Sequence, residues 1–224
     1  MRKFHVYIIE SPNAVDLYHK RFEGESLQKT LKLSGIESSH RLTVNLESFR
    51  AAFYVGLKEY FESNSVQPII HISAHGNSEG IELTSKEKVN WKDLKLLLKP
   101  INKVLNGKLL VSLSSCNGSS GCRMSMHDDD FPFLAVIGNK SSPKWSETNI
   151  AYATFYHLFH NDKSLYNCVE AMKTASGNNN FQLISSKIAR QSYVDIIKRN
   201  SAVNTMERNI PQNQSNNLTK ALTK

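Results

Sequence analysis

Cysteine is scarce in this chain of 224 residues: there are three, Cys116, Cys122 and Cys168, an odd number with no C-x-x-C spacing. That excludes a disulfide framework and leaves each thiol to act alone. Met1-Arg2-Lys3 leads straight into a strand-like run, so no secretory leader is expected, and a reducing, cytoplasmic setting is. Long apolar runs are missing too; none approaches the roughly 20 residues of a membrane span, so no membrane partner is expected. The chain has no P-loop and no strand-linked G-x-G-x-x-G, which removes motif support for nucleotide hydrolysis and leaves no cofactor to expect. Nor is there a basic block interleaved with aromatics. The 28 Lys and Arg against 20 Asp and Glu give a charge of +8, spread along the chain, and nucleic acid is not expected as the partner.

What the sequence does have is alternation. Phe4 to Ile9 is β-branched and aromatic and stops at Ser11-Pro12-Asn13, a first strand and loop. Ala14 to Leu33 is helical in part, with Gly24 as a break and Gly35 as a stop. His40 to Leu46 alternates as a strand with one covered face, and Ser48 caps a helix from Phe49 to Ser63. Pro68 to Ala74 is a third strand, Gly80 to Leu83 with Lys88-Val89 a small hairpin, and Trp91 to Val104 a helix. Lys108 to Leu113 and Phe133 to Gly138 read as two further strands. Ser146 opens a helix reaching Phe159, Leu165 to Ala175 is another, and Lys187 to Lys198 the last. Strands alternating with helices predict an α/β sandwich with a mostly parallel sheet covered on both faces. One domain is expected over 1–199. The Asn-, Gln-, Ser- and Thr-rich stretch 200–224 has few apolar anchors and is expected to be a flexible tail.

Two apolar runs end in reactive residues: Ile69-Ile70-His71-Ile72-Ser73-Ala74-His75-Gly76 and Leu109-Leu110-Val111-Ser112-Leu113-Ser114-Ser115-Cys116-Asn117-Gly118. If both strands lie in one parallel sheet, their carboxyl ends set an imidazole beside a thiol. Cys116 is then the nucleophile, His75 the acid and base, and the N–H groups of Gly76 and Cys116 the oxyanion hole. The small residues after each permit tight turns close to a bound carbonyl.

These residues resemble the caspase-like cysteine peptidases of clan CD and, within them, bacterial CHAT-type domains. There a His-Gly follows the third strand, here Ser73-Ala74-His75-Gly76, and a small-Cys-small turn follows the fourth, here Ser114-Ser115-Cys116-Asn117-Gly118. Ala135 to Gly138, Trp145-Ser146-Glu147, Ala153 to Phe159 and the Ala-containing helix from Leu165 to Ala175 are similar to the elements that follow in CHAT domains. The likeness spans about residues 4 to 177 on the single-domain size expectation. It implies a caspase-like three-layer sandwich, a protein or peptide substrate, and an enzyme held for a regulatory protein partner or small-molecule activator in bacterial defence or cell death. In relatives the residue two before the cysteine helps floor the pocket for the side chain preceding the scissile bond. Here that residue is Ser114, and Ser115, Asn117 and Glu147 join it as substrate-binding candidates. A hydroxyl cannot neutralise a cation, so cleavage after basic residues would need Glu10, Glu147 or Asp128 to Asp130 to supply the charge.

Plainer readings apply elsewhere. Cys122 and Cys168 fit core positions, and His71 fits an interior packing residue. His157 and His160 lie three apart with no second pair, and Asp128 to Asp130 fit a solvated loop, so no metal is expected. Tyr152, Phe155, Tyr156 and Phe159 are helix core. Two other classes stay open: an inactive caspase-like module that binds without cutting, and a receptor for a small anionic ligand on the basic surface.

Overall fold

The computed structural model describes residues 1–208. Strand β1 (His5–Ser11) is followed by α1 (Ala14–Tyr18), α2 (Glu23–Leu33) and edge strand β2 (Glu37–Leu42). Helix α3 (Leu46–Ala51) runs through a π turn (Ala52–Gly56) into α4 (Leu57–Ser63). Then come β3 (Pro68–Gly76), the hairpin β4 (Gly80–Glu82) and β5 (Lys88–Asn90), α5 (Trp91–Val104) and β6 (Leu110–Ser114). A 3-10 segment (Gly118–Ser125) leads to β7 (Ala135–Asn139), α6 (Trp145–His160), α7 (Leu165–Ser176), β8 (Phe181–Ser185) and α8 (Ser186–Arg208). The strand order is β2-β1-β3-β6-β7-β8, parallel except for β8, with the β4–β5 hairpin attached to the end of β3. The chain leaves β1 for β2 and returns to β3 on β1's other side, so the sheet changes direction between β1 and β3. In open parallel sheets the crevice outside the strand ends at such a point is where ligands bind.

The central strands feed two cores. Tyr7, Ile9, Ile70, Ile72, Val111 and Leu113 face α3, α4 and α5; Val6, Ile8, Ile69, Leu110 and Ile137 face α2, α6 and α7. Side chains alternate with period two along a strand. On the second face the alternation turns polar toward the carboxyl ends: Ile69 gives way to His71 and Ser73, Leu110 to Ser112 and Ser114, and Ile8 to Glu10, all of them buried. Two runs that read as continuously apolar thus hide one polar file each, both leading to the same edge.

Several boundaries move, each for a local reason. Asn45, whose side chain accepts from Ser48 N–H while Ser48 Oγ accepts from Asn45 N–H, starts the helix three residues before the predicted Ser48. β2 therefore ends at Leu42. Gly24 lies inside α2, where a Cβ would stand 2.8 Å from Ile8 Cγ2, so it seats the helix on β1 and does not break it; the break falls at Lys20, with φ 54°. Gly35, with φ 70°, does stop the helix. Lys144 stands at the cap position of α6 in place of Ser146. β8 has no counterpart in the sequence reading. Helix α8 runs across the boundary drawn at 200; the rest of the expected tail, 209–224, lies outside the described residues.

Gly138 on β7 backs the turn after β6. A Cβ there would stand 2.5 Å from both Gly118 C and Ser119 N, backbone that cannot rotate aside. Gly138→Ala should therefore cost about 1–3 kcal/mol of stability, the usual range for overpacking, read as a lower urea midpoint at unchanged slope. A variant as stable as the parent would disprove this tight seating.

Candidate functional site

The geometry of the site follows from one pairing. β3 and β6 are parallel neighbours in a register that sets Ile70 opposite Val111 and Ser73 opposite Ser114. Two residues farther along each chain, past the last pair of the ladder, are His75 and Cys116 at the sheet edge. The two segments meet there: a Cβ built on Gly76 would lie 2.9 Å from Gly80 O, 3.2 Å from Ser115 Cβ and 3.3 Å from the Cys116 carbonyl oxygen, so a side chain here would force the hairpin aside and crowd the Cys116 turn. Cys116 is half-buried and its thiol free. His75 and Cys116 line one cleft of about 110 Å³, with Ala74, Ser115, Pro143, Lys144, Trp145 and Thr148.

The turn after Cys116 is held from below. Asn117 adopts the left-handed conformation, φ 54° and ψ 27°, and donates its N–H to Ser141 O at 2.8 Å, while Gly118 N–H closes onto Ser115 O at 3.1 Å. Gly76 is placed by the hairpin. Asn77 donates to Gly80 O, which makes Asn77 and Gly80 a hydrogen-bonded pair of the antiparallel ladder. The next pair, Gly76 with Ile81, is then of the non-bonded kind, which turns the Gly76 N–H away from β4 and toward the β6 side.

His75 is oriented by residues the sequence reading passed over. Its Nε2 lies 3.2 Å from Asp16 Oδ2 and 2.9 Å from Asn13 Nδ2. The two demand opposite things of that nitrogen, because a carboxylate only accepts and an amide NH₂ only donates. Asn13 cannot flip to resolve this, since its Oδ1 accepts Asp16 N–H at 2.7 Å and caps α1. The charged partner forms the stronger bond; with the ring proton on Nε2 toward Asp16, Nδ1 keeps its lone pair. Asp16 is 5 % exposed; its Oδ1 pairs with Arg21 at 2.9 Å, and Oδ2 also accepts from Trp145 Nε1 at 3.4 Å. The Trp145 ring stands edge-on to His75 with centroids 5.3 Å apart. The signal for this group was legible as Asn-x-x-Asp directly after the first strand, a capping pattern at the same sheet edge.

The remaining candidates separate. Ser115 lines the cleft; Ser114, Asn117 and Glu147 do not. Ser114 lies one row deeper, level with Ser73 and Glu10 across the sheet, and its buried Oγ has no hydrogen-bond partner. Glu147 is turned away, accepting from Asn178 Nδ2 at 2.7 Å and from Lys144 N at 3.3 Å. Glu10 accepts from Gly24 N–H, Glu25 N–H and His40 Nε2 at 2.8, 3.2 and 2.7 Å. Asp128, Asp129 and Asp130 pair with Lys95, Arg190 and Lys99, so that loop is clasped by cations and not merely solvated. None of these carboxylates lines the Cys116 cleft, whose one lysine is Lys144.

His71 is fully buried and packs in the interior, as its place inside the strand predicts. Its Nδ1 donates to Tyr156 Oη at 3.0 Å, and Tyr156 donates onward to Ser112 Oγ at 2.9 Å. Burial holds the Tyr152 and Tyr156 hydroxyls far above the ordinary phenol range, so both stay neutral donors. His71 Nε2 has no hydrogen bond and faces Glu23 Oε2 at 3.6 Å. Burial also pushes the Cys122 and Cys168 thiols up. Among the described residues no three metal-ligating side chains come together, and no helix is long and apolar enough to cross a membrane.

No protein-family model matches the chain, and no curated protein matches its sequence. Solved structures do match its fold. A secreted C11 cysteine protease from Bacteroides thetaiotaomicron superposes with a TM-score of 0.55 at 9 % identity, covering 84 % of this chain and 67 % of the protease. The Arg-specific cysteine proteinase gingipain R gives 0.49 at 10 % identity over 77 % of this chain, which spans 41 % of the gingipain chain. The Drosophila initiator caspase Dronc gives 0.48 at 11 % identity, over 81 % of this chain and 79 % of the caspase. The mostly parallel sheet with helices on both faces is the α/β sandwich expected from the sequence, and it is the fold shared with the C11 protease.

Proposed function

We propose that the protein is a cysteine peptidase in which Cys116 attacks a peptide carbonyl. The observation that carries this reading is the state of His75: it lines the same cleft as Cys116, and its far nitrogen is tied to a buried carboxylate. In the proposed cycle the Nδ1 lone pair takes the thiol proton and sulfur adds to the carbonyl carbon. The oxyanion is met by the N–H groups of Gly76 and Cys116. The C–N bond then breaks, His75 returns the proton to the departing nitrogen, and water clears the thioester by the same base. Asp16 acts through His75, holding the tautomer and facing the imidazolium once it forms. It is a positioning residue. The CHAT-type motifs add to the proposal a cytoplasmic enzyme awaiting a partner or signal in bacterial defence or cell death.

The test is an irreversible peptidyl ketone followed by intact mass and peptide mapping. One adduct is expected, on Cys116, with Cys122 and Cys168 unmodified because burial pushes their thiols up and neither lines the His75 cleft. His75→Ala should slow labelling by about 10²-fold or more, the ordinary contribution of a general base. Labelling of all three thiols at similar rates would sink the peptidase reading and favour a module that binds without cutting.

Asp16→Asn keeps the shape of the side chain but removes the charge that sets the tautomer. It is expected to lower kcat by about 10²-fold with KM little changed. An equal fall in both Asp16→Asn and Arg21→Ala, accompanied by loss of the folded baseline, would reduce Asp16 to a structural role.

A further inference from the structure

His75 separates two clefts. Cys116 lines the smaller one; the larger, about 260 Å³, lies under the β4–β5 hairpin and contains Asn13, Gly76 and hairpin residues but not Cys116. Resting on the peptidase reading, the geometry points to the hairpin cleft as the leaving-group subsite, one that takes an extended peptide without selecting its charge. The direction follows from the chemistry: the proton that His75 returns goes to the departing nitrogen, so the chain beyond that nitrogen must run past the imidazole on the side away from sulfur.

The absence of charge selection follows from the lining. Glu79 and Glu82 are set against Lys86 and Lys88, and Glu82 is already bound to Lys86 at 2.8 Å, leaving one acid and one base open. Asn77 Oδ1 accepts from Glu79 N–H and Gly80 N–H, and Asn90 Oδ1 accepts from Asp93 N–H. Both amide NH₂ groups are therefore left to donate to the carbonyls of a passing chain. The hairpin is braced for such a contact. Trp91 Nε1 and an Arg123 guanidinium nitrogen both donate to Ser78 O at 2.9 Å, and Trp91 N–H donates to Glu79 O at 3.0 Å, which pins the strand connection to α5 and the 3-10 segment.

Internally quenched peptides with one acyl half, and Arg or Asp as the first residue after the scissile bond, test this. The parent should cleave the two with kcat/KM values within about threefold, while Lys88→Glu shifts the ratio toward Arg and Glu79→Lys toward Asp, each by about two- to fivefold, the effect of one exposed charge pair. With the Arg or Asp moved to the acyl half, the ratio should not follow these substitutions. A ratio that stays fixed in both variants, or that moves equally for charges on either half, overturns the assignment. Cys116→Ala separates the two readings, using the same peptides bound and followed by fluorescence polarisation. If the parent hydrolyses nothing but the charge reversals still re-rank binding, the peptide cleft stands and hydrolysis falls. If neither changes, the cleft assignment falls.

Discussion

Everything at the sheet edge depends on the in-register pairing of β3 with β6. The backbone ladder from Ile70 with Val111 to Ser73 with Ser114 carries no chemistry of its own, yet it decides where two reactive side chains stand. A slip of one residue would move every side chain of a strand to the opposite face, and His75 and Cys116 would part. The register is well protected. One face of each strand is packed in aliphatic core, and on the other, beyond Ile69 and Leu110, stand His71 and Ser112 bridged through Tyr156. A slip would put these polar groups into hydrocarbon and strand their hydrogen bonds, at a cost of a few kcal/mol for each buried group left unpaired.

A second constraint is electrostatic. Two carboxylates are buried near the ends of β1, and each is stabilised differently. Glu10 is held by the first N–H groups of α2 and by His40, a helix N-terminus serving as anion site. Asp16 has Arg21 and Trp145, with His75 as its third neighbour. Glu10 is satisfied within its own helix contact, one row below the cleft, whereas Asp16 stands beside the imidazole of His75. The three thiols differ in their surroundings. Burial pushes the Cys122 and Cys168 thiols up, and of the three only Cys116 lines a cleft with His75.

Much of this was legible along the chain, for physical reasons that differ by element. β1, β3, β6 and β7 are short β-branched runs ended by Gly, Pro, Asn or Ser, and α5 and α7 begin at Asn90 and Ser164, whose side chains cap them. β8 escaped because Phe-Gln-Leu-Ile-Ser is short and gains its identity only by pairing with β7. β2 was misplaced because an edge strand buries little and so carries a weak hydrophobic signal. Gly24 was misread because a glycine that stops a helix and a glycine that seats one on a strand are the same letter.

The linear sequence by itself determined the alternation of strands and helices, the mostly parallel α/β sandwich, and which two residues follow the ends of β3 and β6, since period-two patterning and turn chemistry are local properties. Only the tertiary structure decided what surrounds them. That Asp16 and Asn13 orient His75, that Glu147 faces away, that Ser114 sits a row too deep, and that His75 stands between two clefts are consequences of strand order and register, which join segments far apart in the chain and leave no mark within either one.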